Sequence, residues 1–260
     1  MEKYDDRPIG VFDSGQGGLT VLSRIVDLMP NENYVFYGDS GHAPYGTKTI
    51  DEVYQLSKNV VDHLIDEYNV KAIMIACNTA TSAAAKRLRS EYDLPIIGIE
   101  PAVKPAVIEN PDKHVVVMAT PLTLREEKFV NLVHKYAKPG QVVKVPAPKL
   151  VEFVENSDID SENVYEYLHS LLDDYAGKTT GVVLGCTHFP FARKAIVNVL
   201  GQDIKVYDGA VGAAAEVKRQ VEKHSGLTSR KDKGTIIFEN SKQGGVEISK
   251  KLYRLFRNNC

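Results

Sequence analysis

The sequence predicts an α/β protein of two pseudo-symmetric lobes, each a mainly parallel sheet flanked by helices, with an active site in the cleft between them. Three observations predict it. Short β-branched runs repeatedly end in small polar residues and lead into segments of helical periodicity, the pattern of βα units around a parallel sheet. The chain has 260 residues, enough for one large or two small domains. Finally, Ile73-Met74-Ile75-Ala76-Cys77-Asn78-Thr79-Ala80 and Val182-Val183-Leu184-Gly185-Cys186-Thr187-His188-Phe189 share one frame: apolar strand, small residue, cysteine, polar residue, threonine or histidine, then a helix.

In chain order, Ile9–Phe12 reads as a strand and Leu19–Met29 as the helix that follows it. Tyr34–Tyr37 and Ala72–Ala76 are apolar strand runs, with helices at Ile50–Glu67 between them and Ser82–Glu91 after them; Ile96–Ile99 is a fourth strand. Proline and polar residues then cluster at Glu100-Pro101, Pro105 and Glu109-Asn110-Pro111-Asp112, so the first lobe ends near residue 100. The second lobe alternates strands at His114–Met118, Val142–Val145, Gly181–Leu184 and Lys205–Tyr207 with helices at Leu122–Tyr136, Ser161–Asp174 and Phe191–Leu200. After Tyr207 come a helix (Val211–His224), a strand (Thr235–Phe238) and a helix (Val246–Phe256), too little for a domain of their own. That segment is expected to return and complete the first lobe, giving domains 1–99 plus 208–260 and 100–207. The charged stretch Ser229-Arg230-Lys231-Asp232-Lys233 reads as a solvated loop.

Composition narrows the function. With 43% hydrophobic, 25% charged and 8% aromatic residues the chain is neither disordered, collagen-like nor a coiled coil. Lysine and arginine number 32 against 34 acids, a net charge of −2, so no electrostatic surplus drives sequence-independent binding to nucleic acid or an anionic membrane. The longest apolar runs, such as Val115-Val116-Val117-Met118, are too short to span a bilayer, and the N-terminus lacks an apolar signal core, so a cytoplasmic protein is expected. Cys77, Cys186 and Cys260 fit neither a disulfide framework nor the CxxC spacing of a zinc site. No metal is expected, and Cys260, at the very end, reads as a dispensable exposed thiol.

The two cysteines in matched frames carry the chemistry. Ligands of open α/β sheets bind outside the carboxyl ends of the strands, where both would sit. Each precedes a predicted helix, whose N-terminal amides and dipole lower a thiol pKa from its reference of about 8.5. Two thiols approaching a small substrate from opposite sides, one taking a proton while the other delivers one, is the geometry of two-base epimerisation or racemisation. Phe12-Asp13-Ser14-Gly15-Gln16-Gly17-Gly18 can cradle an anion on its N–H groups, although Asp13 and Ser14 are equally good helix caps. The segment matches neither GxGxxG nor GxxxxGK[ST], so no nucleotide cofactor is expected. Tyr37-Gly38-Asp39-Ser40-Gly41-His42-Ala43-Pro44-Tyr45-Gly46 is a long loop of the type that carries binding groups. His188 is placed to set the charge of Cys186 or to transfer protons.

Together these motifs resemble the glutamate racemase family, within the cofactor-independent aspartate/glutamate racemase superfamily. The resemblance rests on Gly10-Val11-Phe12-Asp13-Ser14-Gly15 with Gly17-Gly18, Tyr37-Gly38-Asp39-Ser40 with Pro44-Tyr45-Gly46, Ala76-Cys77-Asn78-Thr79-Ala80-Thr81 and Gly185-Cys186-Thr187-His188-Phe189-Pro190, and it runs from Pro8 to the last helix. It implies interconversion of L- and D-glutamate, supplying D-glutamate for peptidoglycan, with no cofactor, no nucleic-acid or membrane partner, and a homodimer as the common assembly. It implies Cys77 as the acid/base for the D-enantiomer and Cys186 for the L-enantiomer, assisted by Asp13 and His188. Ser14, Tyr45, Gly46, Asn78, Thr79 and Thr187 then hold the carboxylates and amino group of the substrate, with Thr120 and Glu152 in the same pocket. Asp208-Gly209-Ala210-Val211 departs from the Asp-Ser-Gly turn expected of the family there. Aspartate racemase, a cleft-type binding protein and a cysteine hydrolase using Cys186 with His188 are the competing readings, and replacing each cysteine separately discriminates among them.

Overall fold

The computed structural model describes residues 4–258, so Cys260 lies outside the described residues. β1 (Ile9–Asp13), β2 (Tyr34–Gly38), β3 (Ala72–Ile75), β4 (Ile96–Gly98) and β9 (Ile236–Asn240) form one sheet in the order β4-β3-β1-β2-β9. β5 (Val115–Ala119), β6 (Val142–Pro146), β7 (Gly181–Leu184) and β8 (Lys205–Asp208) form the second in the order β6-β5-β7-β8. Every pairing is parallel. Taken from its other edge the second sheet is β8-β7-β5-β6, the counterpart strand for strand of β4-β3-β1-β2. The repeat visible in the cysteine motifs is therefore a repeat of a four-stranded unit, and β9 is what the first sheet has in addition.

The chain divides into two compact units, one running to Ile99 and resuming at Ala210, the other Glu100–Gly209. Asp208 and Gly209, expected with the first lobe, fall in the second unit because β8 extends to Asp208, which pairs with Leu184. In this unit, alternate strand residues serve two cores. Val116, Met118, Val182 and Leu184 pack with α7 (Pro148–Glu155), α8 (Glu162–Leu172) and α9 (Arg193–Leu200). Val115, Val117, Ala119 and Val183 pack with α4 (Val103–Glu109), α5 (Pro121–Arg125) and α6 (Glu127–Tyr136). Burial on both faces explains why β5 and β7 read as unbroken apolar runs rather than alternating ones. Each fully buried Val or Leu contributes about 1.5–3 kcal/mol relative to exposure.

In the first unit, α1 (Leu19–Leu28) buries Leu19, Val21, Leu22 and Ile25, and it packs against both α10 (Ala210–His224) and α11 (Gly245–Asn258). The returning segment thus shares the core of the first unit. α2 (Ile50–Tyr68) opens with a capping box between Thr49 and Glu52 and closes on Asn69 in the left-handed region, φ 48°. At the opposite end of the sheet from the loops that follow the strands, the Lys71 side chain is fully buried. Its Nζ lies 2.8 Å from Glu32 Oε2 and donates to the carbonyls of Asp5 (2.6 Å) and Gly226 (3.2 Å). The partners satisfy a charge that would otherwise be strongly destabilising there.

Three helices differ from the sequence-based expectation. α4 lies in what reads as a proline-rich linker, because Pro105 falls in its first turn, where no intrahelical N–H donor is required. α7 likewise opens on Pro148. The segment Leu122–Tyr136 is two helices, α5 and α6, interrupted at Glu126, whose ψ of 138° is extended. Among the described residues no helix is long and apolar enough to cross a membrane.

Candidate active site

The Cys77 region is assembled by strand pairing. Ala76 N donates to Phe12 O at 2.7 Å, continuing the β1–β3 register, so Cys77 lies alongside Ser14, with Sγ 3.5 Å from Ser14 Oγ. Cys77 is also the N-cap of α3 (Asn78–Glu91), which starts four residues earlier than its periodicity predicts; the sulfur accepts from Ala80 N at 3.4 Å. A cap sulfur takes the place of a capping oxygen at the orphan N–H groups, where the helix dipole favours thiolate over thiol. Asp13 ends β1, fully buried, and its Oδ1 accepts from Gly15 N at 2.9 Å. Behind it α1 approaches so closely that a Cβ on Gly18 would stand 2.6 Å from Asp13 Cβ and 3.0 Å from Ala76 Cβ. Glycine there is a packing requirement of the site.

Tyr45 and Gly46 form a buried 3₁₀ turn (Tyr45–Thr47) that packs on α3. The Tyr45 hydroxyl donates to Asp39 Oδ2 at 2.6 Å, and His42 Nδ1 lies 2.8 Å from Asp39 Oδ1. Burial first, then the Asp39 carboxylate, then Cys77 and Asp13, push the Tyr45 phenol far above its ordinary value. Tyr45 is therefore a neutral donor within the field of the thiol. Asp39, itself 2% exposed, was not singled out in the sequence, although it follows β2 as Ser14 follows β1. Asn78 and Thr79, in the first turn of α3, are buried, and Asn78 Oδ1 makes no hydrogen bond to any described group.

The Cys186 region uses the same frame with other groups. Gly185 N donates to Met118 O at 2.7 Å, continuing the β5–β7 register, and Thr120 takes the position beside Cys186 that Ser14 takes beside Cys77. A Cβ on Gly185 would stand 2.9 Å from Met118 O. Cys186 precedes α9 at one remove: its carbonyl accepts from Phe189 N at 3.1 Å and opens a 3₁₀ turn (Phe189–Ala192) that leads into the helix. An imidazole stands by the sulfur instead. His188 Nδ1 is 3.7 Å from Cys186 Sγ, and its Nε2 is 2.7 Å from Glu155 Oε1. The carboxylate orients the ring beside the sulfur. Thr120 is buried as the N-cap of α5, bonded to Thr123 N at 3.3 Å and to Thr123 Oγ1 at 3.0 Å, and Thr187 is buried as well.

Glu155, which reaches His188, is not marked by any local pattern in the sequence. It ends α7, the helix hidden by Pro146 and Pro148, and α7 packs on the 3₁₀ turn after His188. Glu152, the residue expected in the pocket, lies a turn earlier and is exposed, so it is Glu155 that reaches the histidine. The signal available for the helix itself was helical spacing: Leu150, Val151 and Val154 are the buried positions of α7. The structure thus brings Asp13, Ser14, Tyr45, Gly46, Cys77, Asn78 and Thr79 to the carboxyl end of one sheet, and Thr120, Cys186, Thr187 and His188 to the equivalent end of the other.

Two parallel sheets of matching strand order, each with a buried thiol just past a strand end, are the framework of an amino-acid racemase. The model of the Asp/Glu/Hydantoin racemase family matches residues 9–217. A glutamate racemase of Clostridium botulinum is 47% identical over 256 residues, covering 97% of this chain and 98% of its own. Among solved structures, Francisella tularensis glutamate racemase in complex with D-glutamate superposes with a TM-score of 0.79 at 28% identity, covering 96% of this chain and 94% of that one. Escherichia coli glutamate racemase, in complex with L-glutamate and the activator UDP-MurNAc-ala, gives 0.84 at 25% identity over 96% and 95%. The chain belongs to the Asp/Glu/Hydantoin racemase family and, within it, to the glutamate racemases; it is an isomerase.

Proposed function

We propose that the protein racemises glutamate without a cofactor, by a two-base transfer in which Cys77 and Cys186 act on opposite faces of the α-carbon. The observation that carries this reading is the repeat itself: two sheets of equal strand order each present a buried cysteine past the end of the equivalent strand, in surroundings that suit proton transfer. In one direction a thiolate takes the α-proton, forming S–H as the C–H bond breaks, and the electron pair passes toward the α-carboxylate. The opposite thiol then donates its proton to the other face and is left as thiolate. Cys77 serves the D-enantiomer and Cys186 the L-enantiomer. Relatives bound to D-glutamate and to L-glutamate support the substrate.

The α-proton is far less acidic than a thiol, so developing charge must be stabilised by fixed donors. The N–H groups at the start of α3 and the backbone N–H groups of Tyr45 and Gly46, with Ser14, Thr79, Thr120 and Thr187, are the donors for the two carboxylates. Asn78 Oδ1 is the acceptor for the substrate ammonium. Asp13 assists Cys77, and His188, held by Glu155, assists Cys186. Turnover needs one thiolate and one thiol, so kcat/KM is bell-shaped in pH, with limbs that belong to the coupled pair. D-glutamate made this way feeds peptidoglycan synthesis in the cytoplasm, and the working form is a homodimer.

The test is proton NMR in deuterated water with L-glutamate, D-glutamate and L-aspartate separately. Loss of the α-proton signal with appearance of the opposite enantiomer is expected for glutamate only, and neither Cys77→Ala nor Cys186→Ala should racemise it. Exchange with aspartate alone overturns the substrate. Racemisation surviving Cys77→Ala overturns the two-base mechanism.

A further inference from the structure

The loop that carries Asp13 and Ser14 into α1 is Gly15-Gln16-Gly17-Gly18. Three glycines leave its backbone weakly restrained by its own sterics, and the Gln16 side chain is the one group in it able to reach an anchor. That side chain is 1% exposed. Gln16 Oε1 accepts from Ser249 Oγ at 2.7 Å, and Nε2 donates to Gly245 O at 3.3 Å and Ser40 Oγ at 3.4 Å. The amide orientation is fixed by chemistry, since a carbonyl such as Gly245 O can only accept. Ser249 is fully buried in α11. A second set of bonds ties the turn before α11 to the loop after β2: Asn240 Nδ2 donates to Ser40 Oγ at 3.1 Å, Ser241 N to Gly38 O at 3.0 Å, and Gly41 N to Ser241 Oγ at 2.9 Å. Both loops that bring groups toward Cys77 are thus held from one place, and that place lies beyond residue 217, where the family match ends.

We infer that Gln16 and Ser249 are positioning residues for the Cys77 thiol, with α11 acting as the bolt that fixes the Asp13–Ser14 loop. This rests on the reading of Cys77 as an acid/base. They act by holding Ser14 Oγ 3.5 Å from the sulfur and the Asp13 carboxylate in its turn. Displacements of a fraction of an ångström at a proton-transfer site slow the step without weakening binding equally.

The test is Ser249→Ala, followed by kcat and KM in both directions and by primary isotope effects with each α-deuterated enantiomer. A roughly tenfold fall in kcat in both directions is expected, with KM changed less than about twofold. Slowing the Cys77 step makes it more rate-limiting, so the isotope effect rises with the enantiomer that Cys77 deprotonates and falls with the other. Ser249→Thr, which restores the hydroxyl, should recover most of kcat. A lowered melting temperature with unchanged kcat, or isotope effects that shift equally, overturns the inference while the racemase reading stands. If the unaltered enzyme does not racemise glutamate, the reading of Cys77 fails and the inference with it. Should Ser249→Ala not fold, Asn240→Ala gives the same readouts through Ser40.

Discussion

Cys77 and Cys186 occupy the same register position in two sheets of the same order, yet the groups that condition them differ in kind. Around Cys77 stand a helix N-terminus, a buried carboxylate and a phenol bonded to a second carboxylate. Around Cys186 stands an imidazole backed by Glu155, ahead of a 3₁₀ turn. The backbone repeat supplies equivalent positions; it does not supply equivalent chemistry. Under the two-base mechanism proposed above, two mirror-related substrates meet a protein made only of L-residues, and each thiol acts with its own neighbours. Because the enantiomers are equal in free energy, kcat/KM must still be equal in the two directions. Unlike surroundings can therefore show only in kcat, in KM and in isotope effects taken separately.

Removing either thiol breaks the pairing outright. Cys77→Ala and Cys186→Ala should each lower racemisation by about 10⁴-fold, the upper range for a lost acid/base group, as read by circular dichroism of the amino acid. His188→Asn and Glu155→Gln sharpen the contrast, since both act in the Cys186 half alone. They should lower kcat by about 10²-fold and about tenfold respectively, shifting the isotope effects in the sense opposite to Ser249→Ala. Gly18→Ala and Gly185→Ala probe the shared frame, and each should cost about 1–3 kcal/mol in urea unfolding through overpacking.

The smallest effect is on alkaline stability. Tyr45 and Tyr34 have phenols raised chiefly by burial, from an ordinary value of 10.0. A raised folded-state value means stability that is complete below the unfolded value and is lost as pH rises past it. Melting temperature should therefore fall as pH rises above about 10, with less slope in Tyr45→Phe. Tyr207 and Tyr167 of the other unit are also raised chiefly by burial, so it is the difference made by Tyr45→Phe, not the fall itself, that reports on the Cys77 half.

Much of this was legible in the chain. β-branched runs marked the strands, and the two cysteine frames marked the repeat, because both depend on local sequence. What stayed hidden depended on contacts between distant segments. Glu155 meets His188 from 33 residues away, on a helix whose opening prolines resemble a loop. Ser249 meets Gln16 across 233 residues, and no local pattern marks a serine in an amphipathic helix as a partner. The 3₁₀ turn after Cys186 escaped notice because apolar spacing over Phe189–Leu200 does not separate three residues per turn from 3.6.

The unit Glu100–Gly209 is one uninterrupted stretch, whereas the other is closed only by α10, β9 and α11. A ribosome working at about 5–20 residues per second therefore delivers Cys186 with its histidine and glutamate seconds before it delivers the strand bordering β2. During that interval the sheet behind Cys77 has a bare edge at β2, and the Gln16 amide still awaits its serine. Translation of α11 is the event that closes this unit and brings Ser249 to the Gln16 amide.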